Sequence, residues 1–239
     1  RIADIYDGRA AANPHITILD NVTWKWITDH LPEDRGSRIL DAGGGTGKWA
    51  IPIGKLGYKV TILDISEGML RIARKKVEEE GLGHFIAMQQ GNMEEMVFPH
   101  ESFDFILCEG DAFGLTPEPK KALREFHRIL RHDGAVSLNI CNHYKLLALV
   151  IQGMESFDGV RKYFAETSYG REPLQGATFR AWKPEEAFKL IADASFDIEA
   201  YAPRMIMADL LSDEMVKAMR EDSTAMKHVK QIEEELSRH

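Results

Sequence analysis

Cysteine is scarce in this 239-residue chain: Cys108 and Cys141 are the only two. They allow at most one disulfide and no cysteine-rich zinc site. Each closes an apolar run, so both are expected as ordinary buried thiols. Long hydrophobic runs are missing as well. The longest, Leu146 to Ile151, is far short of the roughly 20 residues of a membrane-spanning helix, and the first 30 residues hold no secretory apolar region. The chain is therefore expected to be soluble and cytoplasmic, with no membrane partner, although it opens at Arg1 and a few residues are expected to precede that. Positive charge is in deficit: 30 Lys and Arg face 38 Asp and Glu, a net charge of −8. That balance argues against binding long nucleic acid by phosphate neutralisation. Internal repeats, low-complexity tracts and Ser/Gly-rich linkers are absent too. What is present, 44% hydrophobic and 28% charged residues, is a globular composition long enough for one large α/β domain with a lid, not two enzymatic domains.

The organisation lies in alternating periodicities. Residues 14–31 place Leu19, Val22, Trp26 and Ile27 at helical spacing after Asn13-Pro14. Strands are expected at Arg38–Ala42, Tyr58–Leu63, Phe85–Met88, Phe103–Cys108 and Ala135–Ile140, the last entered through a turn at His132-Asp133-Gly134. Helices are expected at Lys48–Leu56, from the Ser66 cap to Val77, and at Pro119–Leu130. Strands this apolar, separated by helices, imply an α/β fold: a doubly wound, mostly parallel sheet covered on both faces. Residues 143–180 break the rhythm and read as an insertion. A helix from Pro184, a strand at Phe196–Tyr201 and a charged helical end from Asp209 follow, with no later strand beyond the weak Met205–Met207. The divisions are an amino-terminal helical cap at 1–31, an α/β core at 32–142, an inserted lid at 143–182, completion of the core at 183–207 and charged helices at 208–239.

The densest signal is Asp41-x-Gly43-x-Gly45-x-Gly47, between the first strand and its helix. A glycine turn there lets a ligand approach backbone amides at the carboxyl edge of the sheet. A phosphate-binding P-loop is excluded, because Ala42 stands where its first glycine belongs and Trp49 where its magnesium-binding hydroxyl belongs. The dinucleotide pattern fails as well, since Lys48 occupies the third glycine position. From Arg38 to Asn142 the chain instead resembles the class I S-adenosylmethionine-dependent methyltransferases, whose segments occur in order. The resemblance implies a Rossmann-like fold with S-adenosyl-L-methionine as cofactor. It implies cofactor contacts from Asp41, Gly43, Gly45 and Gly47, from Asp64 with Ile65 at the end of the second strand, from Asn92 and Met93, and from Glu109 past the fourth strand. Asp64 matches the acid that accepts from both ribose hydroxyls; Asn92 stands where Asp is more usual. Tyr6-Asp7 is similar to a pair that folds over the cofactor in many of these enzymes, with cation–π attraction to the sulfonium as its physical basis.

The resemblance further implies methyl transfer to a small-molecule acceptor, without a metal and without a nucleophilic protein residue, in line with the lack of any triad or zinc spacing. His143 is the natural proton acceptor because imidazole titrates near neutrality, or else a core histidine. Asp111 either orients a substrate or caps a helix, and Tyr144 joins them as a catalytic candidate. Phe113, Asn142, Tyr169, Trp182 and Arg204 are candidate substrate residues, Arg204 holding a carboxylate or pairing with a nearby Asp. The chain resembles the quinone-biosynthesis methyltransferases and, more loosely, the tRNA wobble-uridine carboxymethoxy methyltransferases. Methylation of a tRNA nucleoside is therefore one alternative, and a non-catalytic sensor or assembly module that binds the cofactor is another.

Overall fold

The computed structural model describes residues 14–143, 169–171, 178–202, 227, 229 and 231–232. The chain divides into two compact units, residues 34–198 and residues 1–33 with 199–239. In the second unit, helix α1 (Pro14–His30) buries Ile18, Val22 and Ile27, a stripe at helical spacing.

The larger unit runs β1 (Arg38–Ala42), α2 (Ala50–Lys55), β2 (Lys59–Asp64), α3 (Glu67–Glu79), β3 (Ile86–Gln90), β4 (Phe103–Cys108), α4 (Ala112–Leu115), α5 (Pro119–Ile129), β5 (Leu130–Leu138), β6 (Tyr169–Arg171), β7 (Thr178–Arg180) and α6 (Pro184–Asp193). The first five strands form one parallel sheet in the order β3-β2-β1-β4-β5. The chain steps outward one way from β1 to β3 and the other way from β4 to β5. The reversal between β1 and β4 opens a crevice at their carboxyl ends, where open α/β sheets bind ligands. β1 and β4 are buried almost throughout, as strands covered on both faces must be. Ser66 caps α3 by accepting from Met69 N, and α5 lays Ala122, Leu123, Phe126 and Ile129 into the core beside Leu40, Phe103, Ile106 and Cys108. No helix among the described residues is long and apolar enough to cross a membrane.

Two expectations require correction. The turn at His132-Asp133-Gly134 does not precede the fifth strand but lies inside it: β5 begins at Leu130, and its register against β4 slips between Phe103 and Phe105. Gly134 is needed at that irregularity, since a Cβ there would approach the Asp104 carbonyl oxygen to 2.8 Å. The strand expected at Phe196–Tyr201 does not form; residues 196–202 are irregular. Ser195, with φ of 65°, turns the chain out of α6, and Phe196 packs edge-on to His127 at 5.5 Å. Beyond it Tyr201 is 73% exposed, for an apolar/polar alternation makes no strand without a hydrogen-bonding neighbour.

The ends of the expected lid meet. Trp182 N donates to Cys141 O at 3.0 Å and His143 N to Trp182 O at 2.9 Å, a single parallel bridge between the start and finish of the insertion. β6 and β7 pair as an antiparallel hairpin within it. The expected strand at Met205–Met207 and most of the terminal helix lie outside the described residues. Cys108 is buried and Cys141 half-buried, neither in a disulfide; burial, then the charges of Glu109 and Asp41, push the Cys108 thiol far up.

Candidate active site

The carboxyl end of β1 breaks into a turn whose alternate glycines take left-handed conformations: φ is 75° at Gly43, 54° at Gly45 and 80° at Gly47. This accounts for the spacing read in the sequence, because side chains at those positions would be strained. Gly44 is required for space, since a Cβ there would lie 2.6 Å from Asp41 Oδ2. Gly43 faces Met93 and Ala112, so the turn, the segment after β3 and the start of α4 converge. Backbone bonds from Gly43 N (2.7 Å) and Gly44 N (3.2 Å) to Leu63 O pin the turn to β2.

Asp64 ends β2 as a clasp. Its Oδ2 accepts from Gly45 N at 2.9 Å and its Oδ1 from Ser66 N at 2.8 Å. Burial raises its pKa, and those two amides oppose the rise. Each oxygen retains a lone pair for a ligand donor. The next residue, Ile65, is 70% exposed, an apolar side chain at the rim beside the carboxylate.

Asp41 is 1% exposed, and its Oδ2 has no hydrogen-bond partner. Desolvation pushes its carboxyl up to about 7, the Ala50 amide opposing and the charges of Asp64 and Glu109 adding to the rise. A buried acceptor left unpaired between two further acids calls for a donor or a cation from outside the fold. An anionic pyrophosphate would meet like charge here.

The Gly91-Asn92-Met93 segment lies beside the turn, but Asn92 is already engaged. Its Oδ1 accepts from Glu94 N at 3.0 Å and its Nδ2 reaches Glu94 Oε2 at 3.4 Å. Glu94 in turn accepts from the Thr116 hydroxyl and from Glu118 N. The following residues are moored by Arg128. Its guanidinium grips Glu125 with two bonds of 2.7 Å and donates to Phe98 O at 2.7 Å and Met96 O at 2.9 Å; Glu125 Oε2 accepts from Met96 N. The hydrogen bond from Arg128 holds the Glu125 carboxyl below its usual range. Lysine keeps the charge but not the planar fork. Arg128→Lys is expected to lower unfolding stability by about 1–2 kcal/mol in urea titrations, and an unchanged midpoint would show that the mooring is idle.

Past β4, Glu109 is buried and accepts from Ser137 Oγ of β5 at 2.7 Å. Gly110 and Asp111 both turn left-handed, so the chain bends sharply into α4. Asp111 occupies the cap position of that short helix, but its side chain makes no capping bond. Phe113 is fully buried and stacks on Trp182 at 5.4 Å, and Arg180 lies 5.9 Å over the Trp182 ring. Phe113 and Trp182 thus belong to the packed wall beside the crevice. Asn142 is exposed, and His143, 5% exposed, is tied by its backbone to Trp182. Tyr6, Tyr144 and Arg204, and the side chain of Tyr169, lie outside the described residues. Among the described residues no cluster of His, Cys, Asp and Glu is arranged for a metal. Sequence reasoning passed over Ser137 and Ala112. The signal for Ser137 was available: a hydroxyl within an otherwise apolar stretch, Ala135-Val136-Ser137-Leu138.

A parallel β3-β2-β1-β4-β5 sheet with a glycine turn after β1 and an acid after β2 defines a class I methyltransferase fold. Residues 39–134 match the methyltransferase domain family. The demethylmenaquinone methyltransferase of Listeria welshimeri is 35% identical over 144 residues, 57% of this chain and 58% of its own length. The ubiquinone/menaquinone biosynthesis C-methyltransferase of Yersinia enterocolitica is 38% identical over 118 residues, 46% of this chain and 45% of its own. The chain thus spans about half the length of the curated relatives it matches. Among solved structures, a possible histamine N-methyltransferase from Thermotoga maritima superposes with a TM-score of 0.56 at 24% identity, covering 82% of this chain and 80% of that one. The [4+2]-cyclase SpnF also superposes, at 0.58 and 22% identity over 76% of this chain and 59% of its own, so the fold by itself does not name the reaction. The similarity to methyltransferases is thus carried by residues 39–134, and the solved structures share the fold.

Proposed function

We propose that this protein transfers a methyl group from S-adenosyl-L-methionine to a small-molecule acceptor. The observation that carries the reading is the glycine turn, clasped by Asp64 on one side and lined by the unpaired, buried Asp41 carboxylate on the other. The cofactor carries an ammonium group and a sulfonium on which the methyl is already activated for in-line displacement. Asp64, with one acceptor site left on each oxygen, suits two ribose hydroxyls, and Ile65 and Met93 supply apolar walls for a base. Asp41 and Glu109 supply negative charge at the methionine end. The protein's remaining task is to align the acceptor, exclude water and take up a proton where one is released. We assign that last role to His143, with Asp111 and Tyr144 at the acceptor side, and acceptor cover to the insertion at 143–182. The curated relatives named above bear quinone-pathway names, which favours a small organic acceptor handled in the cytoplasm; neither the tRNA nor the sensor alternative draws support from them.

Calorimetry with S-adenosylmethionine, S-adenosylhomocysteine and NADH tests the reading. The first two should bind and NADH should not, and tighter binding of NADH would overturn the assignment. Transfer of labelled methyl from the cofactor into a cell-extract metabolite would then establish turnover.

A further inference from the structure

Helix α4 is only four residues long, and its entry is not locally preferred: Gly110 and Asp111 both turn left-handed, Asp111 with a φ of 65° and no capping bond. Its place is therefore set by what it touches. Ala112 abuts the glycine turn so closely that a Cβ at Gly43 would collide with the Ala112 methyl. At the other end Thr116 donates its hydroxyl proton to Glu94, in the segment after β3. Between them Phe113, fully buried, lays its ring on Trp182 with the planes 25° apart. Trp182 in turn forms the rung at the base of the insertion, giving its N–H to Cys141 O and accepting from His143 N. An isolated bridge has no neighbouring pairs to reinforce it, so the seating of the Trp182 ring on Phe113 bears directly on it. A continuous path of contact thus runs from the glycine turn through α4 to the backbone of His143, all within residues 34–198.

We propose that Phe113 is a positioning residue: through Trp182 it carries the seating of the cofactor at the glycine turn to the rung that holds His143, so that the acceptor side is fixed once the cofactor is bound. Phe113 thereby has a task other than touching the substrate. The inference rests on the methyltransferase reading and deepens it. It predicts that cofactor and acceptor bind cooperatively rather than independently.

The test is amide hydrogen exchange at His143 and Trp182, with and without saturating S-adenosylhomocysteine. In the unaltered protein both amides should exchange about 10-fold more slowly with the ligand, within the usual range of coupling between sites. The Ala187 amide, bonded to Lys183 O in α6, is the reference and should change far less. Phe113→Leu keeps an apolar side chain but no ring; it should still bind the ligand, shown by calorimetry, yet lose the slowing at the rung. Trp182→Phe, which keeps a ring for the stack, should retain the slowing. Slowing that persists in Phe113→Leu would mean that the ligand acts on the rung directly, and would overturn the inference. So would equal slowing at Ala187, or none at the rung with ligand bound. The unaltered protein alone delivers these last two results, so the inference stays exposed even where Phe113→Leu does not fold. Failure of the unaltered protein to bind S-adenosylhomocysteine would instead overturn the methyltransferase reading itself, so the two failures are distinct.

Discussion

Asp41→Asn is expected to stabilise the ligand-free protein at pH 8 by up to about 4 kcal/mol, and to change nothing measurable near pH 4. Asp41 is buried with one oxygen unpaired, and desolvation, reinforced by Asp64 and Glu109, carries its carboxyl from 3.8 to about 7. A group that titrates higher in the folded chain than in the unfolded one binds its proton more tightly when folded. Its contribution to stability is therefore most favourable below about pH 4, declines as the pH climbs to about 7, and stays at its minimum above that. An amide does not ionise, so the variant escapes the decline. Urea titrations across pH 4 to 9 check this; a variant less stable than the parent at pH 8 would mean that the carboxylate is held by a structural partner. The same substitution should weaken S-adenosylmethionine by about 10-fold or more, the scale of a charge-assisted contact. In the unaltered protein that affinity should rise between pH 6 and 8 as Asp41 ionises. If both results hold, Asp41 lowers the stability of the ligand-free fold at neutral pH and regains it on cofactor binding, a stability sacrifice of the kind that marks functional sites.

Asp64→Ala is expected to lower cofactor affinity by about 1.5–3 kcal/mol, or roughly 10- to 150-fold, the range of hydrogen bonds to a charged group. Asn should not rescue it. Both carboxylate oxygens of Asp64 accept from backbone N–H groups, Gly45 on one side and Ser66 on the other. An asparagine offers one acceptor oxygen and would set its own NH2 against one of those amides, leaving two donors facing each other. Unchanged affinity in both variants would place the ribose elsewhere. A fall for Ala with full recovery for Asn would show that charge and the double clasp are dispensable.

The sheet was legible because β1, β2 and β4 are nearly continuous apolar runs, each followed by a glycine, acid or turn residue and then a helical stripe. The glycine turn was legible because the left-handed angles at Gly43, Gly45 and Gly47 leave a compositional trace at fixed spacing. Strand limits at the sheet margin were less so. β5 absorbs a turn-like His-Asp-Gly by slipping its register, which depends on Asp104 and Leu130 rather than on local propensity. Phe196–Tyr201 has a strand's alternation but no partner strand among the described residues. Glu94, two residues on from Asn92, engages both ends of its amide, a local interaction that residue type does not reveal. The hydrogen bond between Ser137 and Glu109 spans 28 residues and exists only once the two strands are side by side.

The bridge between Asn142 and Trp182 has a bearing on descent. An excursion that departs from and returns to the same rung exerts little leverage on the sheet, and each doubling of its length costs only about 0.6 kcal/mol in closure entropy. Its contents can be lengthened, shortened or exchanged while the scaffold below stays intact. Variation in length and sequence should therefore be concentrated above that rung, leaving the strands beneath it largely unaltered.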